Sequence, residues 1–170
     1  MQRYLLIQTI LSGVFAALVA VVTFLVQVPV PATGGYIDFG DIMIFVSALA
    51  FGPIVGGLAG SIGSSISDLA SGYAAYAPFT FVIKGMEGTL AGLVSNRKSL
   101  TRDVIAVIIG GAEMISGYFL AEFFPLSLRW AALTEVPGNI SQIIVGGLLG
   151  IPIAAIIRRR IPEAWKKTKQ

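Results

Sequence analysis

From Tyr4 to Val26 no charged side chain interrupts a run dominated by Leu, Ile, Val, Ala and Phe. At 1.5 Å of rise per residue, a helix of about 20 apolar residues crosses the hydrocarbon core of a bilayer, so this stretch can span one. It exceeds the roughly 7–15 apolar residues of a secretory signal, and no A-x-A cleavage pattern follows. It reads as a retained membrane helix.

The same logic continues along the chain. Pro29, Pro31 and Gly34-Gly35 end the first helix in a loop. Asp38, with Asp41 three positions on, offers a capping-box-like start to a second helix. Its apolar part, Ile42 to Phe51, is short for a span, as if the preceding loop replaced its outer end. Gly52-Pro53 then stops one helix and starts the next. Gly56, Gly60 and Ser64 give the third helix a small-residue face for close approach of a neighbour. Helices are expected over 4–26, 38–51, 53–70, 78–94, 104–124 and 138–157. They form a single transmembrane domain, 1–170, with a basic tail over 158–170 that includes a short interfacial helix containing Trp165.

Composition agrees. The chain is 55% apolar and only 12% charged, against about 25% charged in soluble domains. The expected class is an all-α integral membrane protein of six transmembrane helices. Six crossings put both termini on one side, and ten of the twelve Lys and Arg fall there: Arg3, Arg97, Lys98, Arg102, Arg158, Arg159, Arg160, Lys166, Lys167 and Lys169. The positive-inside rule makes that side cytoplasmic and the membrane the cell membrane. The basic tail is then a topology signal with affinity for anionic lipid, not a nucleic-acid site.

With neither Cys nor His, disulfides, thiolate chemistry, imidazole bases and the commonest zinc sites are excluded. There is no phosphate-binding G-x-x-x-x-G-K-[ST], no H-E-x-x-H and no G-x-S-x-G. No catalytic residue, metal or cofactor is expected, and the chain is not read as an enzyme.

Function must therefore sit in the polar exceptions, since a charge at mid-membrane costs at least about 2.5–3.5 kcal/mol. Lys84 lies about 9 Å into the fourth helix, with Glu87 at i+3 on the same face. The pair either closes the bundle as an internal ion pair or lines a water-filled site open to the outside. Glu113 sits mid-way along the fifth helix, with Glu122 near its outer end and Asp68 near the outer end of the third. Glu113 reads equally as a site residue or as a bond across the bundle. Asp41, like Asp38, is either a helix-start residue or a ligand contact. Asn139 and Gln142, at i and i+3, either bridge helices or read the edge of a heterocycle. Tyr73 and Tyr76 are interface anchors or a stacking lid.

Three stretches, in this order, resemble the substrate-binding S component of energy-coupling factor (ECF) transporters, in the riboflavin-type or hydroxymethylpyrimidine-type branch. They are Gly35-Tyr36-Ile37-Asp38-Phe39-Gly40-Asp41 running to Phe51-Gly52-Pro53; Tyr76-Ala77-Pro78-Phe79-Thr80 through Lys84-Gly85-Met86-Glu87-Gly88; and Pro137-Gly138-Asn139 with Gln142, Gly146 and Pro152. The resemblance implies a vitamin or vitamin precursor as ligand, held in the outer half under the loop between the first two helices. It implies a transmembrane coupling subunit and two ATPase subunits as partners, with release by ATP-driven toppling. It also implies a small-residue docking face on the first helix, here Ser12, Ala16 and Ala20, although that stripe equally suits packing within the bundle. Two other readings stay open: an autonomous carrier driven by an ion gradient through Glu113 or Asp68, and an intramembrane enzyme or a non-catalytic assembly protein.

Overall fold

The structure, a computed structural model, describes residues 2–160. The expected interfacial helix at Trp165 and the tail lysines lie outside those residues. Six α-helices form the bundle: α1 (Gln2–Leu25), α2 (Asp41–Phe51), α3 (Pro53–Ala70), α4 (Ala77–Val94), α5 (Leu100–Phe123) and α6 (Val136–Arg160). The chain is an all-α integral membrane protein, as expected. α1, α5 and α6 are each long and apolar enough to cross a membrane unaided.

Two local features differ from the sequence reading. The segment after α1 is an antiparallel hairpin, β1 (Gln27–Val30) with β2 (Gly35–Asp38), in which Val28 faces Ile37 and Pro29 faces Tyr36. In a two-stranded ribbon every strand is an edge, so Pro29 costs no ladder bond that a neighbour needs. The turn closes through the Thr33 and Gly34 N–H groups, which both donate to the Val30 carbonyl. Consequently α2 starts at Asp41 and not at Asp38. Its N-cap is Gly40 and makes no side-chain cap bond, so the capping-box expectation fails. Asp38 is instead held in the hairpin.

The other boundaries move by a few residues. α5 begins at Leu100, ahead of the apolar run, because Asp103 in its first turn suits the positive end of the helix dipole. α6 ends on Arg158, Arg159 and Arg160, which suit the negative end. A short 3-10 turn, Arg129–Thr134, leads from α5 into α6.

α3 lies between α1 and α4, and small residues let it. A Cβ on Gly88 would fall on the Gly56 carbonyl, and one on Gly63 would come within 2.5 Å of the Ala16 carbonyl. The α2–α3 corner needs glycine for a second reason, since Gly52 sits at φ +102°. α2 packs on α6, with Phe45 against Gly146 and Gly150. Ile44, Phe45, Leu49, Val55 and Val19 are fully buried, whereas Leu6, Ile10, Val14 and Leu18 of α1 point outward to lipid. At the end where α1 begins and α6 finishes, Arg158 clamps Asp103 (Nη2–Oδ2 2.5 Å), and the Ser95 hydroxyl donates to Asp103 at 2.6 Å. The hairpin, the 71–76 loop and the 3-10 turn share the opposite end.

Candidate functional site

α2 is short, so the hairpin dips into the bundle above its first turn. Beneath it is a cavity of about 20 Å³, room for one or two waters. Its walls come from β2 (Tyr36, Asp38), α3 (Ser64, Asp68), the start of α4 (Tyr76, Thr80, Lys84), α5 (Tyr118) and the approach to α6 (Glu135, Asn139, Gln142).

Lys84 is the floor. Its ammonium pairs with Asp41, from α2, and lies 3.2 Å from Glu87 Oε2. All three residues are at most 2% exposed. The Tyr118 ring centroid is 5.7 Å from Nζ, within cation–π range. The alternatives left open for Lys84 and Glu87 thus coincide: an internal ion pair forms, and Lys84 also lines the cavity. Glu87 lies behind it. Asn139 and Gln142 both line the cavity and are joined by a 2.8 Å bond from Gln142 Nε2 to Asn139 Oδ1.

The hairpin is fastened from every side. The Asp38 N–H donates to Gln142 Oε1 at 2.8 Å, while Asp38 Oδ1 accepts from Thr23 and from the Gly40 N–H. The Tyr36 phenol donates to Asp68 Oδ1 at 2.5 Å, and its ring packs on Tyr73 with centroids 4.6 Å apart. Tyr76 donates to the Thr33 carbonyl at 3.1 Å, and the Thr33 hydroxyl donates to Glu135. Gln27 Nε2 donates to Ser71 at 2.9 Å. Burial, the Asp68 carboxylate and the Asp38 carboxylate raise the Tyr36 phenol well above its ordinary pKa. Burial likewise raises Tyr76, so both remain donors. Burial raises Asp38 to about 6, an effect that Lys84 partly opposes.

Of the residues singled out in the sequence, Asp38, Asp68, Tyr76, Lys84, Asn139 and Gln142 meet in the cavity wall. Asp41 and Glu87 hold Lys84, and Tyr73 braces the lid. Glu113 is half-buried outside the lining, its charge felt by Glu87. Ser12 and Ala16 are buried within the bundle, and Ala20 is half-buried. The exposed small stripe on α1 is Gly13 and Ala17. The lining residues missed as site residues include Tyr36, Thr80, Tyr118 and Glu135. Tyr118 lies one turn before Glu122 on α5, and Glu135 is an acid just ahead of Pro137-Gly138; those spacings were the available signals.

A polar cavity walled by four helices of a six-helix membrane bundle, floored by a neutralised lysine and roofed by a hairpin, fits a substrate-binding membrane protein of the transporter class. The chain belongs to the family described as ECF-type riboflavin transporter, S component, which matches residues 6–159. It is 40% identical over 144 residues to an uncharacterized protein of Pyrococcus woesei, covering 84% of this chain and 96% of that one. It is 28% identical over 151 residues to the thiamine precursor transporter HmpT of Lactococcus lactis subsp. cremoris, covering 88% and 86%. A solved S component of a bacterial ECF transporter has the same fold, with a TM-score of 0.62 at 22% identity, covering 90% of this chain and 94% of that one.

Proposed function

We propose that this chain is the substrate-capture subunit of an ATP-driven vitamin importer in the cell membrane. It takes a small water-soluble vitamin or precursor from the outside into the cavity beneath the hairpin. Both termini lie in the cytoplasm, as the bias of Lys and Arg requires. A transmembrane coupling subunit and two ATPase subunits supply the energy.

The observation that carries this reading is the hairpin-roofed cavity, with Lys84, Asn139 and Gln142 converging on it from α4 and α6. A cavity of about 20 Å³ is far below the roughly 300 Å³ or more of a ligand pocket. Uptake of a ring-sized solute therefore needs the hairpin to lift, and the hairpin is held mostly by side-chain bonds that can break one by one. The coupling subunit docks on the exposed face of α1 at Gly13 and Ala17, where added bulk meets nothing of this chain within 4 Å at Gly13.

The purified chain should bind a member of a vitamin panel that includes riboflavin and hydroxymethylpyrimidine, while uptake into proteoliposomes should require the coupling and ATPase subunits. Lys84→Ala and Asn139→Ala should each weaken binding about tenfold or more. Unchanged affinity in both variants removes this site. Gradient-driven uptake by the chain alone removes the capture-subunit reading.

A further inference from the structure

We propose that the outward groove between α3 and α4 binds one anionic phospholipid of the cytoplasmic leaflet, at a site distinct from the solute cavity. The acyl chain lies in the groove, and the headgroup rests on the basic loop that follows α4.

The groove arises where two helices touch through small residues. A Cβ on Gly57 would lie 2.2 Å from Thr89 Oγ1, and one on Gly85 would lie 3.1 Å from Ser61 Cβ. These residues form the floor, while Ile54, Leu58, Val82 and Met86 stand exposed as rims. The space is about 750 Å³, within the roughly 300–1,000 Å³ of small-molecule sites. Along α4 it runs from Leu90 to Phe81, about 14 Å at 1.5 Å per residue. That is close to half of the roughly 30 Å hydrocarbon core, the depth of one leaflet. The lining offers a protein partner neither charge nor amide, only the Ser61 and Thr89 hydroxyls.

A chain gains little by leaving bulk lipid for an equally apolar wall, so the headgroup supplies the selection. The groove ends beside a concentration of positive charge. Gly92 is pressed on Pro53, where a Cβ would lie 2.5 Å from the proline nitrogen, so that mouth lies within a turn of the end of α4. Arg97 and Lys98 follow directly. Their loop is pinned: Asn96 Oδ1 accepts from the Lys98 and Ser99 N–H groups, each at 3.0 Å, and Ser95 Oγ accepts from the Arg97 N–H at 3.2 Å. The next acid along the chain, Asp103, is already held by Arg158 and Ser95. α3 begins at the same mouth with no acid in its first turn and no side-chain cap, so the positive end of its dipole is uncompensated. Among the described residues no acidic side chain is exposed, whereas Lys98, Arg102, Arg159 and Arg160 are. A basic site between helices at the cytoplasmic surface suits an anionic headgroup.

Native mass spectrometry of the full-length chain, loaded with phosphatidylglycerol and phosphatidylcholine of identical chains, tests the site. One phosphatidylglycerol should be retained about tenfold or more over phosphatidylcholine. Leu58→Trp and Met86→Trp fill the groove from opposite rims without entering the core, and each should lose the adduct. Leu120→Trp, on the exposed face of α5, should keep it. Replacing Arg97 and Lys98 together by Ala should bring the two lipids level, and glycerol phosphate, a headgroup without chains, should not displace the lipid. Equal retention of both lipids by the parent chain, an adduct that survives both groove variants, or displacement by glycerol phosphate overturns the proposal. A chain dimer that the groove variants break also overturns it, giving the groove to a second copy. Each of these results leaves the capture function standing.

Discussion

The Tyr36 phenol donates to Asp68 Oδ1 at 2.5 Å, tying the second strand of the hairpin to the end of α3. Asp68 is 2% exposed, so the bond joins the hairpin to a buried carboxylate in the bundle wall. A hydrogen bond to a charged group contributes about 1.5–3 kcal/mol. Tyr36→Phe should therefore free the hairpin locally. Amide exchange across residues 27–38 should accelerate about tenfold or more, while α3 and α4 keep their protection. Unchanged exchange would show that the other hairpin bonds suffice.

The floor of the site should behave as a buried ion cluster. Lys84→Met strands Asp41 and Glu87 without their cation and should cost about 3–5 kcal/mol. Adding Asp41→Asn should recover part of that loss. Reversible unfolding in mixed micelles measures both, and a loss under about 1 kcal/mol for the single variant would rule out the cluster as a structural anchor.

Asp38 gives a pH signature. Its folded pKa is raised from 3.8 to about 6, mainly by burial, so the folded state holds a proton that the unfolded state releases. Its contribution to stability is therefore complete below about pH 4 and is lost as pH rises through about 6. Asp38→Asn keeps the acceptor for Thr23 and the Gly40 N–H without the charge. The stability of the variant relative to the parent should grow between pH 4 and 6. A flat difference across that window would show that Asp38 does not titrate there.

Two glycines should separate coupling from folding. Gly13→Leu meets nothing of this chain within 4 Å, so stability and ligand affinity should hold while ATP-driven uptake falls. Gly88→Ala drives a Cβ into the Gly56 carbonyl and should destabilise the bundle by about 1–3 kcal/mol or more. Normal uptake by Gly13→Leu would move the docking face elsewhere.

At the terminal end, Arg158→Ala opens the bidentate clamp on Asp103. Leaving a buried carboxylate with only Ser95 as partner should cost about 1–3 kcal/mol. Ligand affinity should not change, because the clamp lies at the opposite end from the cavity. A large affinity loss would mean that the two ends are coupled.

What the sequence determined by itself is the set of spans and their breaks. Uncharged runs must be helical in lipid because no water is present to satisfy a free backbone, and Gly52-Pro53 and Pro137-Gly138 punctuate them. The shortness of α2, the Lys84–Glu87 pairing at i+3 and the Asn139–Gln142 face follow from helical spacing alone. Tertiary structure decided what joins across the chain. Asp41 reaches Lys84 over 43 positions, Thr33 reaches Glu135 over 102 and Asp38 reaches Gln142 over 104; no local period encodes such pairs. It also decided that the loop after α1 is a hairpin and that Asp38 serves there and not as a cap. The face of α1 was illegible for a related reason. Lipid is as apolar as the core, so the polar side that betrays orientation in a soluble helix is missing. Only packing against α3 turned Ser12 and Ala16 inward and left Gly13 and Ala17 outside.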